Sequence, residues 1–291
     1  MKIGVVGIPG GWSSERLADA VEKRTGFRII IDFEKLSLDL DTGKVWYESL
    51  DISSLDALIV KKVGAQYSPA LLDRLEILRF LQGTGMAIFS DPHRIMGVLN
   101  RLSCTITLRN GKIPMPPTTI TENIDLGLKA VETYKEAVFK PMFSSKARGM
   151  AVITKDGDIR KKVETFAGKH GMMYIQKKID FGRQDLGIAF LGGKYLTTYA
   201  RCGQGDSWNT TIRSGGKYKP FDPSPEIIAL AQKAQSLFGL DFTCVDVAQT
   251  PDGPVVFEVS AFGGFRGIHR ARGMDAADLY VAYVLDQLKK R

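Results

Sequence analysis

The sequence predicts an α/β protein of two or three subdomains that opens with a small, mostly parallel sheet. Three observations carry this expectation. Strand-like and helix-like segments alternate through the first 90 residues, the pattern of a parallel sheet with crossover helices. The run Ile113-Pro114-Met115-Pro116-Pro117-Thr118 is a rigid extended connector that separates this alternation from the rest of the chain. At 291 residues the chain is long enough to bury a substantial core and to divide it.

The first strand, in the stretch from Met1 to Gly7, runs into Gly7-Ile8-Pro9-Gly10-Gly11-Trp12-Ser13-Ser14 and then an amphipathic helix from about Glu15 to Lys23, with Ser13 or Ser14 as N-cap. Arg28 to Phe33 and Ala57 to Val63 read as buried strands. Between them Leu36 to Tyr47 forms a hairpin around Asp41-Thr42-Gly43. A helix from about Pro69 to Leu81 and a strand from Met86 to Ser90 come next, and Asp91 to Arg109 reads as one helical stretch. Past the connector come strands at Thr118–Thr121, Ala137–Pro141, Ala151–Thr154 and Met173–Ile179, with helices ending near Tyr134 and His170. The last part holds a hairpin turning at Gly192-Gly193, a helix from Ser224 to Phe238, a hairpin from Phe242 to Ala261 and a closing helix from Asp275 to Lys290. The glycine turn after the first strand is not GxGxxG, which argues against a dinucleotide fingerprint. It is either a substrate-contacting loop or a tight turn that needs small residues.

Composition narrows the classes. A hydrophobic fraction of 44% and a charged fraction of 25% are those of a soluble globular protein, and no apolar run approaches a membrane span. The N-terminus reads as a strand rather than a signal peptide. Cys104, Cys202 and Cys244 are scattered, and His93, His170 and His269 stand at no ligand spacing, which fits reduced thiols in a cytoplasmic chain without a zinc site. Between Phe139 and Arg183 eleven Lys or Arg face four Asp or Glu, a difference of seven that is nearly the whole formal charge of +8. So local an excess points to an anionic ligand or to a solvated basic face. No aromatic stacking platform interleaves these residues, so nucleic acid ranks last among the ligands.

The sharpest chemical pattern lies between Val245 and Ser260. Pro251-Asp252-Gly253 between two apolar runs is a turn. A three-residue loop there pairs Thr250 with Pro254, and so Asp246 with Glu258. Ser260 shares the face of Glu258, while Val245, Val247, Phe257 and Val259 take the other. Facing carboxylates repel, so they either share a divalent cation that prefers oxygen ligands or sit on a solvated sheet face. Lys140 ends an apolar strand, where it either snorkels to solvent or reaches a phosphate. The loop Ser144-Ser145-Lys146-Ala147-Arg148-Gly149 suits covering phosphates, as it would suit a flexible surface loop.

Residues 139–152 (FKPMFSSKARGMAV), 174–202 (YIQKKIDFGRQDLGIAFLGGKYLTTYARC) and 244–264 (CVDVAQTPDGPVVFEVSAFGG) together resemble the ATP-grasp fold, most nearly its RimK-type branch of ATP-dependent carboxylate–amine ligases. The resemblance covers about residues 90 to 290. It implies an N-terminal pre-ATP-grasp α/β domain (1–90), a small ATP-grasp lobe with the connector (91–180) and a C-terminal lobe with the metal site (181–291). It further implies ATP with magnesium, or manganese in its place, and an amine joined to an anionic carboxylate substrate with release of ADP. The same resemblance implies a role for each of several residues. Lys140 contacts the nucleotide phosphates, and Ser144, Ser145 and Gly149 belong to the loop that closes over them. Gln176, Lys177, Lys178 and Ile179 form the strand that reads adenine. Asp185 lies near the ribose or the neighbouring site, and Arg201 near the transferred phosphate. Asp246, Glu258 and Ser260 hold metal, and Arg101 stands where the family has its first nucleotide-binding lysine.

The chain departs from the family at several of these points. Ser260 replaces a metal-ligating asparagine, and a hydroxyl is a shorter, weaker ligand than an amide oxygen. Ser260-Ala261-Phe262-Gly263-Gly264-Phe265 replaces the N-x-S-P-G ending, Lys177-Lys178 occupy the hinge, and Gly187 stands where an arginine is common. The segment from Phe262 to Gly273 carries Arg266, Arg270, Arg272 and His269. Arg213, Arg266 and Arg270 are therefore candidate contacts to a polyanionic acceptor, the alternative being a positively charged surface loop. Two rival readings share these features: an ATP-grasp kinase without a ligation step, and a nucleotide-binding regulatory module. A homo-oligomer is compatible with either.

Overall fold

The computed structural model describes residues 1–205 and 207–291. Its first unit contains β1 (Ile3–Val6), α1 (Trp12–Thr25), β2 (Ile30–Ile31), β3 (Leu36–Asp39), β4 (Lys44–Tyr47), β5 (Leu50–Asp51), β6 (Ala57–Val60), α2 (Ala70–Gly83) and β7 (Ala87–Phe89). Strands β2-β1-β6-β7 form the expected parallel sheet, and β3-β4-β5 a small antiparallel one. β2 is shorter than its apolar sequence suggests, an edge strand that pairs with β1 through Ile30 and Ile31. Ser13 and Ser14 do not cap α1. Gly11 takes that position, and Ser14 Oγ lies inside the first turn, accepting from Ile8 N at 3.0 Å and fixing the glycine loop.

Two helices, α3 (Pro92–Leu99) and α4 (Arg101–Asn110), replace the single helical stretch. The break is Asn100, which is extended (φ −80°, ψ 119°) and whose Oδ1 accepts from Leu102 N and Ser103 N. An N-cap side chain thus competes with helix continuation and leaves Arg101 as the first residue of α4. The chain then forms β8 (Thr118–Thr121), α5 (Ile124–Tyr134), β9 (Glu136–Lys140), β10 (Ala151–Thr154), α6 (Ile159–His170) and β11 (Met173–Lys177), whose strands pair antiparallel in the order β10-β9-β11-β8. Lys178 and Ile179 lie beyond the strand end.

The last sheet, β14-β13-β12-β15-β16, is antiparallel. It comprises β12 (Gln184–Leu191), β13 (Lys194–Cys202), β14 (Lys217–Pro220), β15 (Phe242–Thr250) and β16 (Gly253–Ser260), with α7 (Pro225–Ser236) across it. Helices α8 (Phe265–Arg272) and α9 (Ala276–Lys289) close the chain. β14 and α8 were not legible in the sequence. The first is a polar edge strand, Lys-Tyr-Lys-Pro, and the second is a short helix among glycines.

Packing joins the first and last parts. Ile3, Val5, Leu17 and Val21 share one apolar cluster with Phe242, Phe265, Tyr280 and Val284. Leu58 and Leu75 share another with α3, α4 and the large sheet through Ile95, Leu108, Leu186 and Val247. The sheet of β8 to β11 instead has its own core around Phe139, Val163, Phe166 and Ile175. That lobe's apolar cluster is separate from the two that join the first and last parts of the chain. No helix among the described residues is long and apolar enough to cross a membrane.

Candidate active site

The β15–β16 hairpin brings Asp246 opposite Glu258, and the pairing arises differently from a plain three-residue turn. Thr250 pairs with Gly253 rather than Pro254, so the loop holds only Pro251 and Asp252. A bulge between Asp246 and Val247 then shifts the register by one residue, restoring Asp246↔Glu258 and Cys244↔Ser260. The same bulge moves Val256 into the core beside Val247, and Phe257 leaves the core face. Phe257 instead lines the cleft, meeting Phe181 edge-on at 5.5 Å and lying 5.5 Å from Lys140 Nζ.

The carboxylates stand in a network of arginines. Arg201 on β13 forms a short ion pair with Asp185 on β12 and reaches Asp246 Oδ2 at 2.8 Å. Asp185 is buried and also accepts from the Thr210 hydroxyl. Its carboxylate thus orients Arg201. Burial pushes the Asp246 carboxyl up to about 7, with Glu258 and Asp185 adding to the rise and Arg201 opposing it. At the other end Arg101 donates to Pro141 O (3.1 Å) and Ser144 Oγ (3.0 Å) and approaches Glu258 Oε2 at 3.5 Å. Arg101 therefore ties the 144–149 loop to the carboxylate strand.

Magnesium fits this donor set. It is all oxygen, Asp246 is a desolvated carboxylate whose charge calls for more cation, and Glu258 remains half-exposed. Ser260 lines the same cavity as Glu258. No third His, Cys, Asp or Glu joins the pair among the described residues, which leaves further positions to phosphate and water.

Lys140, at the end of β9, donates to Gln176 Oε1 at 2.6 Å and lies 5.8 Å from the Tyr174 ring. Desolvation lowers its ammonium to about 7, and Arg101 adds to the fall. A lysine so placed is short of counter-charge. Gln176 is buried and donates to Thr118 Oγ1. The backbone N–H groups of Lys177 and Lys178 donate to Pro117 O and Glu136 O, and Ile179 follows just beyond the strand end. Ile179 borders a cavity of about 250 Å³ lined also by Phe181, Arg183 and Trp208. A smaller one of about 50 Å³ is lined by Tyr67, Arg101, Ser144, Ser145, Glu258 and Ser260. Phe181 lines the larger cavity and Phe257 the smaller, and the two rings are in contact. Gly149 adopts φ +68°, where a side chain would also press on Pro141, so the loop needs glycine there.

Several residues of this region were not among those the sequence pointed to. Tyr174 and Phe257 form aromatic walls around Lys140, and Tyr67 reaches the cleft from the first unit. Lys62 lies 4.8 Å from the Phe262 ring with Lys146 as its charged neighbour, and burial lowers it to about 8. Lys61 is buried and donates to Phe262 O (2.7 Å) and Gly263 O (2.6 Å), with its ammonium 3.6 Å from the Phe265 ring. Both lysines come directly after β6, at the carboxyl end of the parallel sheet where ligands gather. Their signal was the Lys-Lys pair closing an apolar strand. Of the three substrate arginines, Arg213 stands exposed on the Ile212–Ser214 turn. Arg266 and Arg270 lie on helix α8 and not on a surface loop, which was the alternative to acceptor contacts. That helix forms because Gly264 and Gly267 let it settle on Tyr199, where a Cβ at either would come within 2.7 Å of the ring or its hydroxyl.

A model of the RimK-like ATP-grasp domain matches residues 99–284. The chain belongs to the RimK-like ATP-grasp family. Among its relatives, the tetrahydromethanopterin:alpha-L-glutamate ligase of Methanosarcina acetivorans is 26% identical over 97% of this chain and 98% of that protein. Among solved structures, the D-cycloserine synthetase DcsG has a TM-score of 0.77 at 13% identity, covering 99% of this chain and 100% of the other. The ATP-grasp ligase PsnB, in a structure with ADP, Mg and a phosphomimetic variant of its minimal precursor, has a TM-score of 0.74 at 16% identity, covering 97% of each. These likenesses extend over the first unit as well as the ATP-grasp domain, in agreement with the α/β class expected from the sequence.

Proposed function

We propose that this chain is an ADP-forming, magnesium-dependent carboxylate–amine ligase, with its nucleotide between the β8–β11 lobe and the large sheet. The observation that supports this most directly is the convergence of Lys140, Arg101, Arg201 and the facing pair Asp246–Glu258 on one cleft. In this reading the boundaries near 90 and 180 separate the pre-ATP-grasp unit and the two lobes.

Asp246, Glu258 and Ser260 would hold magnesium, which supplies positive charge to the phosphates. Lys140 gives a point charge at the end of β9, and Gln176 holds its ammonium in place. Gly149 and the serines before it allow the 144–149 loop to lie close over the phosphates. Arg201, fixed by Asp185, faces the position where charge develops during transfer. A substrate carboxylate attacks the γ-phosphorus, ADP leaves, and an acyl phosphate forms on the substrate. The amine then attacks the acyl carbon, phosphate leaves, and the amine's proton goes to solvent or to the departing phosphate. No side-chain nucleophile is required, and the protein contributes positioning and electrostatics. The relatives named for alpha-L-glutamate ligation favour an amino acid as the amine.

The test is ADP release from ATP and magnesium by the wild type, Lys140→Ala and Glu258→Ala, and then paired screening of carboxylates and amines. Magnesium-dependent turnover that both substitutions abolish, and that an amine accelerates, is the expected result. Phosphorylated substrate formed with no amine requirement would mean a kinase, and tight nucleotide binding with no turnover for any pair would mean a regulatory module. Absence of nucleotide binding would sink the proposal.

A further inference from the structure

Lys62, from the first unit, is a half-buried cation that lacks a counter-charge. It pairs with no acidic side chain among the described residues, whereas other cations of that unit do: Arg74 takes Glu34, and Arg28 takes Glu15 and Asp19. Its ammonium lies 4.8 Å from the Phe262 ring and 5.8 Å from the Tyr67 ring. The charge that bears on it is a second cation, Lys146 of the 144–149 loop. Two like charges held near each other with little water repel, and an anion between them removes the repulsion.

The fold fixes Lys62 where it stands. The backbone N–H groups of Lys61 and Lys62 both donate to Val6 O, at 2.8 and 3.1 Å, and Arg74 Nη1 donates to Val63 O at 2.9 Å. Lys61 Nζ grips Phe262 O and Gly263 O, which brings the Phe262 ring to Lys62. A side chain so held loses little further freedom when it meets a ligand.

The neighbours identify the anion. Tyr67 lines the smaller cavity with Arg101, Ser144, Ser145, Glu258 and Ser260, and Lys146 directly follows Ser145. The Tyr67 phenol feels the charges of Glu258 and Arg101, and burial keeps it protonated. Lys62 and Lys146 therefore flank the cavity that holds the candidate metal carboxylate and the serines of the phosphate loop. The anion that reaches this cavity in the ligase reading is the terminal phosphoryl group.

We propose that Lys62 is a catalytic residue supplied by the first unit, whose ammonium binds the phosphoryl group as it passes from ADP to the acceptor carboxylate. The inference rests on the ligase reading. The bond from the γ-phosphorus to the ADP oxygen breaks as the bond to the carboxylate oxygen forms. Lys62 keeps its proton throughout and neutralises charge on the non-bridging oxygens, then stays with the phosphate that the amine displaces. Without an anion beside it the ammonium titrates at about 8, and a phosphoryl group beside it raises that value and secures the proton.

Inorganic phosphate reads the contact without a known acceptor. MgADP is titrated into the full-length wild type, Lys62→Met and Lys62→Arg by calorimetry, and phosphate is then titrated into each protein saturated with MgADP. The methionine keeps an apolar stem between Phe262 and Tyr67, and the arginine keeps the charge. MgADP affinity should agree within about twofold in all three proteins, while phosphate affinity falls about tenfold or more in Lys62→Met and is largely retained in Lys62→Arg. Equal phosphate affinity in wild type and Lys62→Met, or no saturable phosphate binding to the wild-type MgADP complex, would overturn the contact. So would a parallel loss of MgADP affinity in Lys62→Met, which would assign the side chain to packing of the cleft. Failure of MgADP to bind the wild type would instead overturn the ligase reading beneath it, and the two failures are separately visible.

Discussion

Nucleotide binding should draw a proton onto Lys140. In the cleft without phosphates, burial and the neighbouring Arg101 bring this ammonium down to about 7. A polyphosphate beside it favours the charged form and raises it again. At pH 8 roughly one free site in ten carries the proton, so about 0.9 proton is taken up per nucleotide bound. The uptake falls to about 0.5 at pH 7 and about 0.1 at pH 6. By linkage, affinity should weaken as pH rises above 7, by up to about tenfold (about 1.4 kcal/mol) per pH unit. Calorimetric titration of MgADP in buffers of differing ionisation enthalpy measures this directly. It is best run above pH ~7.5, where a terminal phosphate with pKa ~6 retains little proton of its own. Lys140→Met keeps the apolar stem between Tyr174 and Phe257 and should abolish the uptake while weakening binding. Equal uptake in wild type and Lys140→Met, or less than about 0.2 proton at pH 8 with binding intact, would refute the reasoning.

Asp246→Asn should reduce magnesium-dependent ADP release by about 100-fold or more, yet shift unfolding free energy by less than about 1 kcal/mol, because Arg201 keeps Asp185. Full turnover in this variant, in a coupled ADP assay, would remove Asp246 from the metal set. Lys61→Met should cost about 2–4 kcal/mol in urea denaturation, since it leaves two buried carbonyls without their donor. Burial holds Lys61 well below the ordinary lysine value, so the unfolded chain binds this proton more readily. The wild type should therefore gain stability relative to Lys61→Met as pH rises toward ~10.4, and parallel pH profiles would contradict this. Gly149→Ala forces a side chain into φ +68° beside Pro141 and should strain the loop by about 1–3 kcal/mol, seen as a lower kcat with the global fold intact.

Much of the site was legible because short-range rules govern it. Pro251-Asp252-Gly253 marks a hairpin wherever it stands between apolar runs, and Asp246 and Glu258 face each other by pairing across it. The sequence suggests a loop one residue too long and still reaches the right pair, since the bulge between Asp246 and Val247 compensates. Phe257 shows the difference: its alternation assigns it to the core, and the bulge turns it to Lys140. Asp185 and Arg201 were pointed to only by the family resemblance, and their mutual ion pair depends on the β12–β13 register. The Asn100 break, which sets Arg101 at the start of α4, was written in a capping residue that the surrounding helical periodicity outweighed.

Periodicity, turn chemistry and motif order determined the α/β class, the parallel first sheet, the family and the carboxylate pair, because each depends on residues close together in the chain. The meeting of β6 with the 262–264 loop was decided only in three dimensions. Lys61 contacts carbonyls some two hundred positions away, at Phe262 and Gly263, and α8 becomes a helix only where its glycines fit against Tyr199. Trp12 and Arg266 are likewise brought together by packing of the first unit against the last. A local pattern fixes the conformation of a segment, but burial and charge depend on what packs against it. For that reason the lowered lysines, the raised Asp246 and the approach of Arg266 to Trp12 emerge only from the tertiary structure.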